Sequence, residues 1–234
     1  MSVTQKDPVS ENETSEIGEV ILPFERTGEY FVEDLGEIPK KPVYNFIKRL
    51  FDIVASLFAL IVLFVPMLII GLAIKRSSSG TVLYFQERLG LNGRKIKIVK
   101  FRTMEMDAEC NGAQWSAGEE DERIYPLGNK LRIYRLDELP QFWCILKGDM
   151  SIVGPRPERE CFYKEFETYI HGFSERLKVK PGLTGLAQVN GGYELKPEEK
   201  ILYDVEYIKN RSLWGDLKLI FKTVLVVVGH KGAK

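Results

Sequence analysis

A run of 22 residues without a charged side chain, 53–74, constrains this chain more than any other feature. As one continuous helix it would reach about 33 Å at ~1.5 Å per residue, enough to cross the hydrocarbon core of a bilayer. Two details complicate a simple crossing. Lys40, Lys41, Lys48 and Arg49 precede the run and Lys75 and Arg76 follow it, so the positive-inside rule wants both ends on the cytoplasmic side. Pro66 lies within the run. It removes a helical hydrogen bond and its ring collides with the preceding turn, so a kink there could return the chain to the face it entered from. Charge and composition leave a spanning and a re-entrant helix both open. A secretory signal is not expected, because its basic start leads at once into an apolar core, and here the apolar run begins only at Ile53.

The 234 residues suffice for one catalytic body and a membrane element. Basic and acidic side chains balance at 33 each, which gives no reason to expect a nucleic-acid partner, yet they are unevenly placed. Residues 1–39 carry ten Asp and Glu against Lys6 and Arg26, so the remainder is basic, as suits a handler of anions. The resulting division is an acidic, largely disordered tail over 1–40, a membrane-embedded segment over 41–76 and a catalytic domain over 77–234. A short ordered stretch is expected at 20–24. Cys110, Cys144 and Cys161 have no CxxC spacing, and His171 and His230 are far apart. The cysteines read as reduced thiols in a cytosolic setting, and any metal is expected to be held by oxygen atoms.

Short strands are expected at 82–85 and Lys95–Phe101, joined through Leu91-Asn92-Gly93. The polar stretch 107–129 reads as a loop over a site. Helices follow at 136–146, stopped by Lys147-Gly148, and at 158–166 and 197–209. The apolar residues of 214–228 recur at helical spacing; a helix lying on the bilayer and an ordinary packed terminal helix both fit them. The expected fold class is α/β, mostly helical, with a re-entrant membrane helix and a small body of short strands and interfacial amphipathic helices.

Among residues suited to chemistry, Asp137 and Glu138 stand out between Arg135 and Pro140. An Asp before a helix commonly caps it, and Glu and Pro are welcome in a first turn, so capping is one reading. The other is that a carboxylate beside Arg135 stays ionised and serves as nucleophile or cation ligand. Two prolines around Arg156 fix the backbone and aim one planar, permanently charged donor, a geometry suited to a phosphate oxygen or to a rigid connector. Lys100 and Arg102 near a strand end suit an anion, or a solvated strand face. Pro181-Gly182-Leu183-Thr184-Gly185 and Asn190-Gly191-Gly192 read either as ordinary turns or as backbone donors for a ligand. No GxGxxG or GxxxxGK[ST] is present, so neither a dinucleotide fold nor a P-loop is supported.

Taken in order, Lys48-Arg49-Leu50-Phe51-Asp52, the apolar run with Pro66, Phe85-Gln86-Glu87-Arg88-Leu89-Gly90, Lys100-Phe101-Arg102-Thr103-Met104, Leu136-Asp137-Glu138-Leu139-Pro140-Gln141, Leu146-Lys147-Gly148-Asp149-Met150-Ser151, Gly154-Pro155-Arg156-Pro157 and Lys180-Pro181-Gly182-Leu183-Thr184-Gly185 form a series. Over residues 45 to the C-terminus this series resembles the bacterial sugar transferases, the monotopic phosphoglycosyl transferases.

The resemblance implies transfer of sugar-1-phosphate from a UDP-sugar to undecaprenyl phosphate, yielding the lipid diphosphate sugar and UMP. That reaction would open synthesis of an exopolysaccharide, capsule, lipopolysaccharide or other surface glycan. It implies Asp137 as nucleophile of a covalent phosphosugar intermediate, with Glu138 as its partner, both beside Mg²⁺ or Mn²⁺. Arg156 would hold phosphate, with Lys100, Arg102, Arg88 and Arg135 as supporting cations. It further implies a helix that breaks near Pro66 and returns, at the cytoplasmic face of the bacterial inner membrane; Val65 stands where serine is frequent in the family. Partners beyond the substrates and the bilayer would be downstream glycosyltransferases or a second copy of the chain. Large members carry extra N-terminal helices, and this sequence reads as the minimal catalytic form. The rival readings are a nucleotide-sugar pyrophosphohydrolase and a non-catalytic adaptor for glycan assembly.

Overall fold

The computed structural model describes residues 4–6, 22, 24, 26, 28–106, 108, 115, 121–192 and 195–229. The fold is mixed α/β and mostly helical, with short strands. In chain order its elements are β1 (Thr4–Lys6), β2 (Glu29–Phe31), α1 (Pro42–Val62), α2 (Phe64–Ser77), β3 (Leu83–Leu89), β4 (Lys95–Phe101), α3 (Pro126–Ile133), α4 (Phe142–Lys147), β5 (Ser151–Val153), α5 (Glu160–Glu167), β6 (Ile170–His171), β7 (Gly182–Thr184), α6 (Leu186–Asn190), α7 (Pro197–Asn210) and α8 (Leu213–Val228).

The uncharged run is the middle of a longer broken helix. α1 begins at Pro42, whose missing N–H costs nothing in a first turn, and the chain bends by 59° between α1 and α2. The break falls at Leu63 rather than at Pro66, which sits in the first turn of α2. The offset has a simple cause: a proline ring collides with the carbonyl four residues back, here Val62, so the last residue able to continue α1 lies just before the bend. No single helix among the described residues is long and apolar enough to cross a membrane, although the bent pair together is. The side chains around the bend are exposed and apolar, among them Phe58, Ile61, Phe64, Val65, Leu68 and Leu72.

Both ends of this bent pair are tied to the same polar body. Near its start, Arg49 donates to the carbonyls of Ile145 and Leu146 at 2.7 Å each, Asp52 accepts the N–H of Ile152 at 3.0 Å, and Lys48 pairs with Asp216 at 2.8 Å. Both carbonyls lie in the last turn of α4, where Ile145 O also accepts the N–H of Gly148 at 3.0 Å, so the arginine both caps that helix and anchors α1. At the far end Arg102 is buried and donates to Thr81 O, Ser78 Oγ and Ser78 O, while Ile74, Phe101 and Leu131 close over the joint.

β3 and β4 pair antiparallel from Leu83 opposite Phe101 to Leu89 opposite Lys95, through a turn that holds Asn92 at φ 55°. β3 is longer than the expected strand 82–85. Ile96, Ile98 and Val99 of β4 pack on Ile145, Met150, Val153 and Ile208 to form the main core, and Phe162, Phe166, Phe173, Ile201 and Val205 form a second. β5 and β7 pair in parallel.

The glycines of Pro181–Gly185 lie in and beside β7 rather than in an ordinary turn. A Cβ at Gly182 would stand 2.1 Å from the N atom of Gly154, so glycine is what allows the two backbones to meet. Pro197 opens α7, and Ser212 caps α8 through Gly215 N–H. α8 leaves Trp214, Leu217, Phe221, Val224 and Leu225 exposed on its outer side.

Several expectations change. The stretch 107–129 is not loop throughout: α3 starts at Pro126, Met104 bridges Ile124, and most of 107–120 lies outside the described residues. The helix expected at 136–146 is a 3₁₀ turn, Leu136–Gln141, followed by α4, because Pro140 cannot join an α-helical ladder there. Of the acidic segment 1–40, residues 28–40 pack on the body instead of standing free: β2 pairs in parallel with β6, Lys209 pairs with Glu33 at 2.5 Å and Lys178 with Asp34 at 3.1 Å. Of the stretch 20–24, Leu22 and Phe24 are described, and both lie against the second core.

Candidate active site

A cavity of about 400 Å³ opens between the β3–β4 hairpin, the 3₁₀ turn, the Gly154–Pro157 turn and α7. Asp137 lies on it, and its neighbour Glu138 is clamped at its edge. Arg135 is in the left-handed region at φ 53°, one of two non-glycine residues so placed among those described. This strained residue starts the 3₁₀ turn and directs the two acids inward. Asp137 makes no side-chain cap bond, so the capping reading is set aside by the geometry.

The two acids have opposite surroundings. Glu138 accepts Arg156 Nη2 at 2.6 Å and Lys100 Nζ at 3.2 Å, all within a mostly buried cluster. Burial alone would raise the Glu138 carboxyl, but Arg156 and Lys100 outweigh it and hold it well below the usual carboxylate range. Asp137 is 8% exposed and makes no hydrogen bond or ion pair among the described residues. Burial, reinforced by the adjacent charge of Glu138 and partly offset by Lys100, Arg132 and Arg156, pushes its pKa up to about 6. One carboxylate is neutralised and fixed; the other is desolvated and free. That is the division required when one acid must react and the other must keep cations in place.

The Gly-Pro-Arg-Pro turn is held from three sides. Gly154 N–H donates to Thr184 O and Gly182 N–H to Pro155 O, each at 2.8 Å, while Arg176 donates to the carbonyl of Arg156 at 2.9 Å. Arg176 is itself ion-paired with Asp204 at 2.6 Å, both essentially excluded from solvent. Arg88 joins the turn through Pro157 O and the carboxylate of Glu158 at 2.8 Å. Lys100, Arg156, Arg88 and Arg135 therefore gather on one cavity. Arg102 reaches the same cavity, but its guanidinium is occupied by carbonyls at the end of α2 and by the Ser78 hydroxyl, so it acts there as a clasp.

Residues missed from the sequence also line the cavity: Arg132, Glu158, Arg176, Trp115 and Lys200. One signal was available. In α7 the apolar stripe Ile201, Val205 and Ile208 is shared by Lys200 and Asp204, charged residues four apart on a buried face. Such charges are not expected inside a helix stripe unless paired or functional. The described residues hold no group of three or more His, Cys, Asp or Glu close enough to bind a metal unaided. Asp137 and Glu138 do suit a hard cation that takes one or two carboxylates and completes its shell from substrate phosphates.

Residues 43–230 match the family described as bacterial sugar transferase. The chain is 43% identical over 204 residues to the UDP-N-acetylgalactosamine-undecaprenyl-phosphate N-acetylgalactosaminephosphotransferase of Aeromonas hydrophila, covering 86% of this chain and 48% of that protein. It is 38% identical over 215 residues to the UDP-glucose:undecaprenyl-phosphate glucose-1-phosphate transferase of Escherichia coli (strain K12), covering 86% and 46%. The chain thus spans about half the length of these curated relatives. With the exopolysaccharide production protein ExoY of Sinorhizobium fredii (strain NBRC 101917 / NGR234) it shares 34% identity over 221 residues, 88% of this chain and 96% of that one.

Proposed function

The chain belongs to the bacterial sugar transferase family, and on that premise we propose that it transfers sugar-1-phosphate from a UDP-sugar to undecaprenyl phosphate, initiating a surface glycan. The observation that carries this reading is the asymmetric pair: Asp137 free and desolvated on the cavity, Glu138 clamped by Arg156 and Lys100. In the first step an Asp137 oxygen forms a bond to the sugar-bearing phosphorus. The bond from that phosphorus to the bridging oxygen breaks, its electron pair leaving with UMP. In the second step the lipid phosphate attacks the same phosphorus and releases the Asp137 carboxylate. Arg156, directed by the rigid turn, holds the transferring phosphoryl oxygens. Asp137 and Glu138 would hold Mg²⁺, which when bound would neutralise charge on the diphosphate.

The proposed topology is a re-entrant helix, with both termini and the active site on the cytoplasmic face of the inner membrane. The ties of Arg49 and Asp52 at one end of the bent pair and of Arg102 at the other support it, since one polar body cannot lie on both sides of a bilayer. The exposed apolar bend and the outer side of α8 would face lipid.

The test is incubation with undecaprenyl phosphate and UDP-glucose, UDP-galactose or their N-acetylated forms, reading UMP and lipid-linked product. Lipid-linked product in wild type and none in Asp137→Asn supports the reading. Sugar phosphate released without lipid acceptor would favour hydrolysis instead. A single cysteine at Ser79, which is exposed beyond α2, should resist impermeant labelling from the periplasm; labelling there overturns the topology.

A further inference from the structure

Lys200 is 8% exposed, lines the cavity and makes no hydrogen bond or ion pair among the described residues. Its ammonium sits 4.4 Å from the centre of the Trp115 ring, a contact that shields it from water but leaves its charge without a counter-ion. A buried cation is costly unless something anionic meets it. The nearby carboxylates are already committed, Glu158 to Arg88 and Asp204 to Arg176.

The largest charge effects on Lys200 come from Glu158, Arg176, Arg156 and Asp204, and those on Asp137 from Glu138, Lys100, Arg132 and Arg156. Lys200, Asp137 and Arg156 line one cavity, so the uncommitted cation and the nucleophile face the same space, with Arg156 acting on both. In a displacement at phosphorus the leaving oxygen departs on the side away from the nucleophile.

We propose that Lys200 forms the subsite for the departing nucleotide phosphate, receiving the negative charge that the bridging oxygen gains as its bond to phosphorus breaks. This rests on the nucleotide-sugar reading above and adds to it a specific residue and a specific half of the donor. Burial pushes the Lys200 pKa down to about 8, Arg176 and Arg156 adding to the effect while Glu158 and Asp204 oppose it. The ammonium is thus present below pH 8 and lost above it. Arg88 also lines the cavity, and it is paired with Glu158.

The test measures binding of UMP and of uridine to the full chain in bilayer nanodiscs, for wild type, Lys200→Gln and Lys200→Arg. The proposal expects Lys200→Gln to weaken UMP about tenfold or more with uridine unchanged, and Lys200→Arg to stay within about threefold of wild type. It also expects wild-type UMP affinity to fall between pH 7 and 9.5, where the phosphate is already a dianion, and the Arg variant to show no such fall. UMP binding within twofold of wild type in Lys200→Gln, or equal losses for UMP and uridine, overturns it. Should Lys200→Gln not fold, a flat wild-type pH profile overturns it equally. A wild type that releases UMP from donor and lipid while Lys200→Gln keeps its UMP affinity sinks this assignment alone. A wild type that neither binds nor releases UMP sinks the donor reading as well.

Discussion

Arg156 places Nη2 2.6 Å from Glu138 Oε1, on a backbone held by Gly154, Gly182 and Arg176. The fork of the arginine is directed before any ligand arrives, and the glutamate that receives it sits next to an unpartnered Asp137. Replacing Arg156 by lysine keeps the charge but loses the planar fork and the fixed direction. The expected outcome is a fall in transfer rate of about tenfold or more for Arg156→Lys. Arg156→Ala should be worse and should also unfold earlier, because Glu138 stays buried with less compensation, at a cost of about 3–5 kcal/mol. Rate assays beside thermal denaturation in detergent separate the two effects.

The raised Asp137 pKa makes activity and stability move in opposite directions with pH. A nucleophilic carboxylate must be ionised, so the transfer rate should fall as pH drops through about 6. For stability the sign reverses: the folded state holds the Asp137 proton more tightly than the unfolded chain, so the penalty of its buried charge is full above pH 6 and relieved toward pH 4. Asp137→Asn removes that penalty. It should abolish transfer while raising the melting temperature at pH 7.5, which a denaturation scan of both proteins checks.

Asp52 is 3% exposed and serves the N–H of Ile152. Asp52→Ala leaves that donor orphaned and loosens α1 from β5, at a cost of about 1–3 kcal/mol. Asp52→Asn keeps an acceptor and should lose less. Limited proteolysis near residue 41 reads the loosening, and wild-type resistance in Asp52→Ala would count against an anchoring role.

Gly182→Ala would force a methyl group against Gly154 N at 2.1 Å. The β5–β7 pairing cannot absorb it, and the turn carrying Arg156 should shift with it. A loss of stability of about 3 kcal/mol or more and loss of transfer are expected together. Leu183→Ala, at a partly buried position one residue on, serves as the comparison.

Arg102 separates structural from substrate-binding cations. Its hydrogen bonds to Thr81 O, to Ser78 O and Oγ and to Met104 O predict that Arg102→Lys lowers the melting temperature with the donor KM nearly unchanged. A large rise in donor KM at unchanged stability would return Arg102 to the phosphate site.

The acids, Arg156 and the bent apolar segment were legible in the sequence because each depends on local chemistry: a charge pattern, a proline, a rigid dipeptide either side of an arginine. Lys95–Phe101 and the helix after Pro197 were legible for the same reason. The break at Leu63 was displaced from Pro66 because a proline acts on the carbonyl four residues earlier. The glycines of Pro181–Gly185 were misread because what crowds them is a backbone segment about thirty residues away in sequence, at Gly154. Residues 28–40 were misread because acidic composition suggests solvation, whereas their partners Lys178 and Lys209 come from the other end of the chain.

By itself, then, the sequence determined that an apolar segment flanked by cations precedes a basic body bearing an Asp-Glu pair, since periodicity, charge and proline act over a few residues. Only the tertiary structure decided which of the two acids is free. That depends on Lys100 and Arg156 converging on Glu138 from β4 and from the turn after β5. It likewise decided that Arg102 is a clasp while Lys200 is an uncommitted cation. Burial and pairing are properties of long-range packing, and adjacent or alike residues in the chain can be given opposite environments by it.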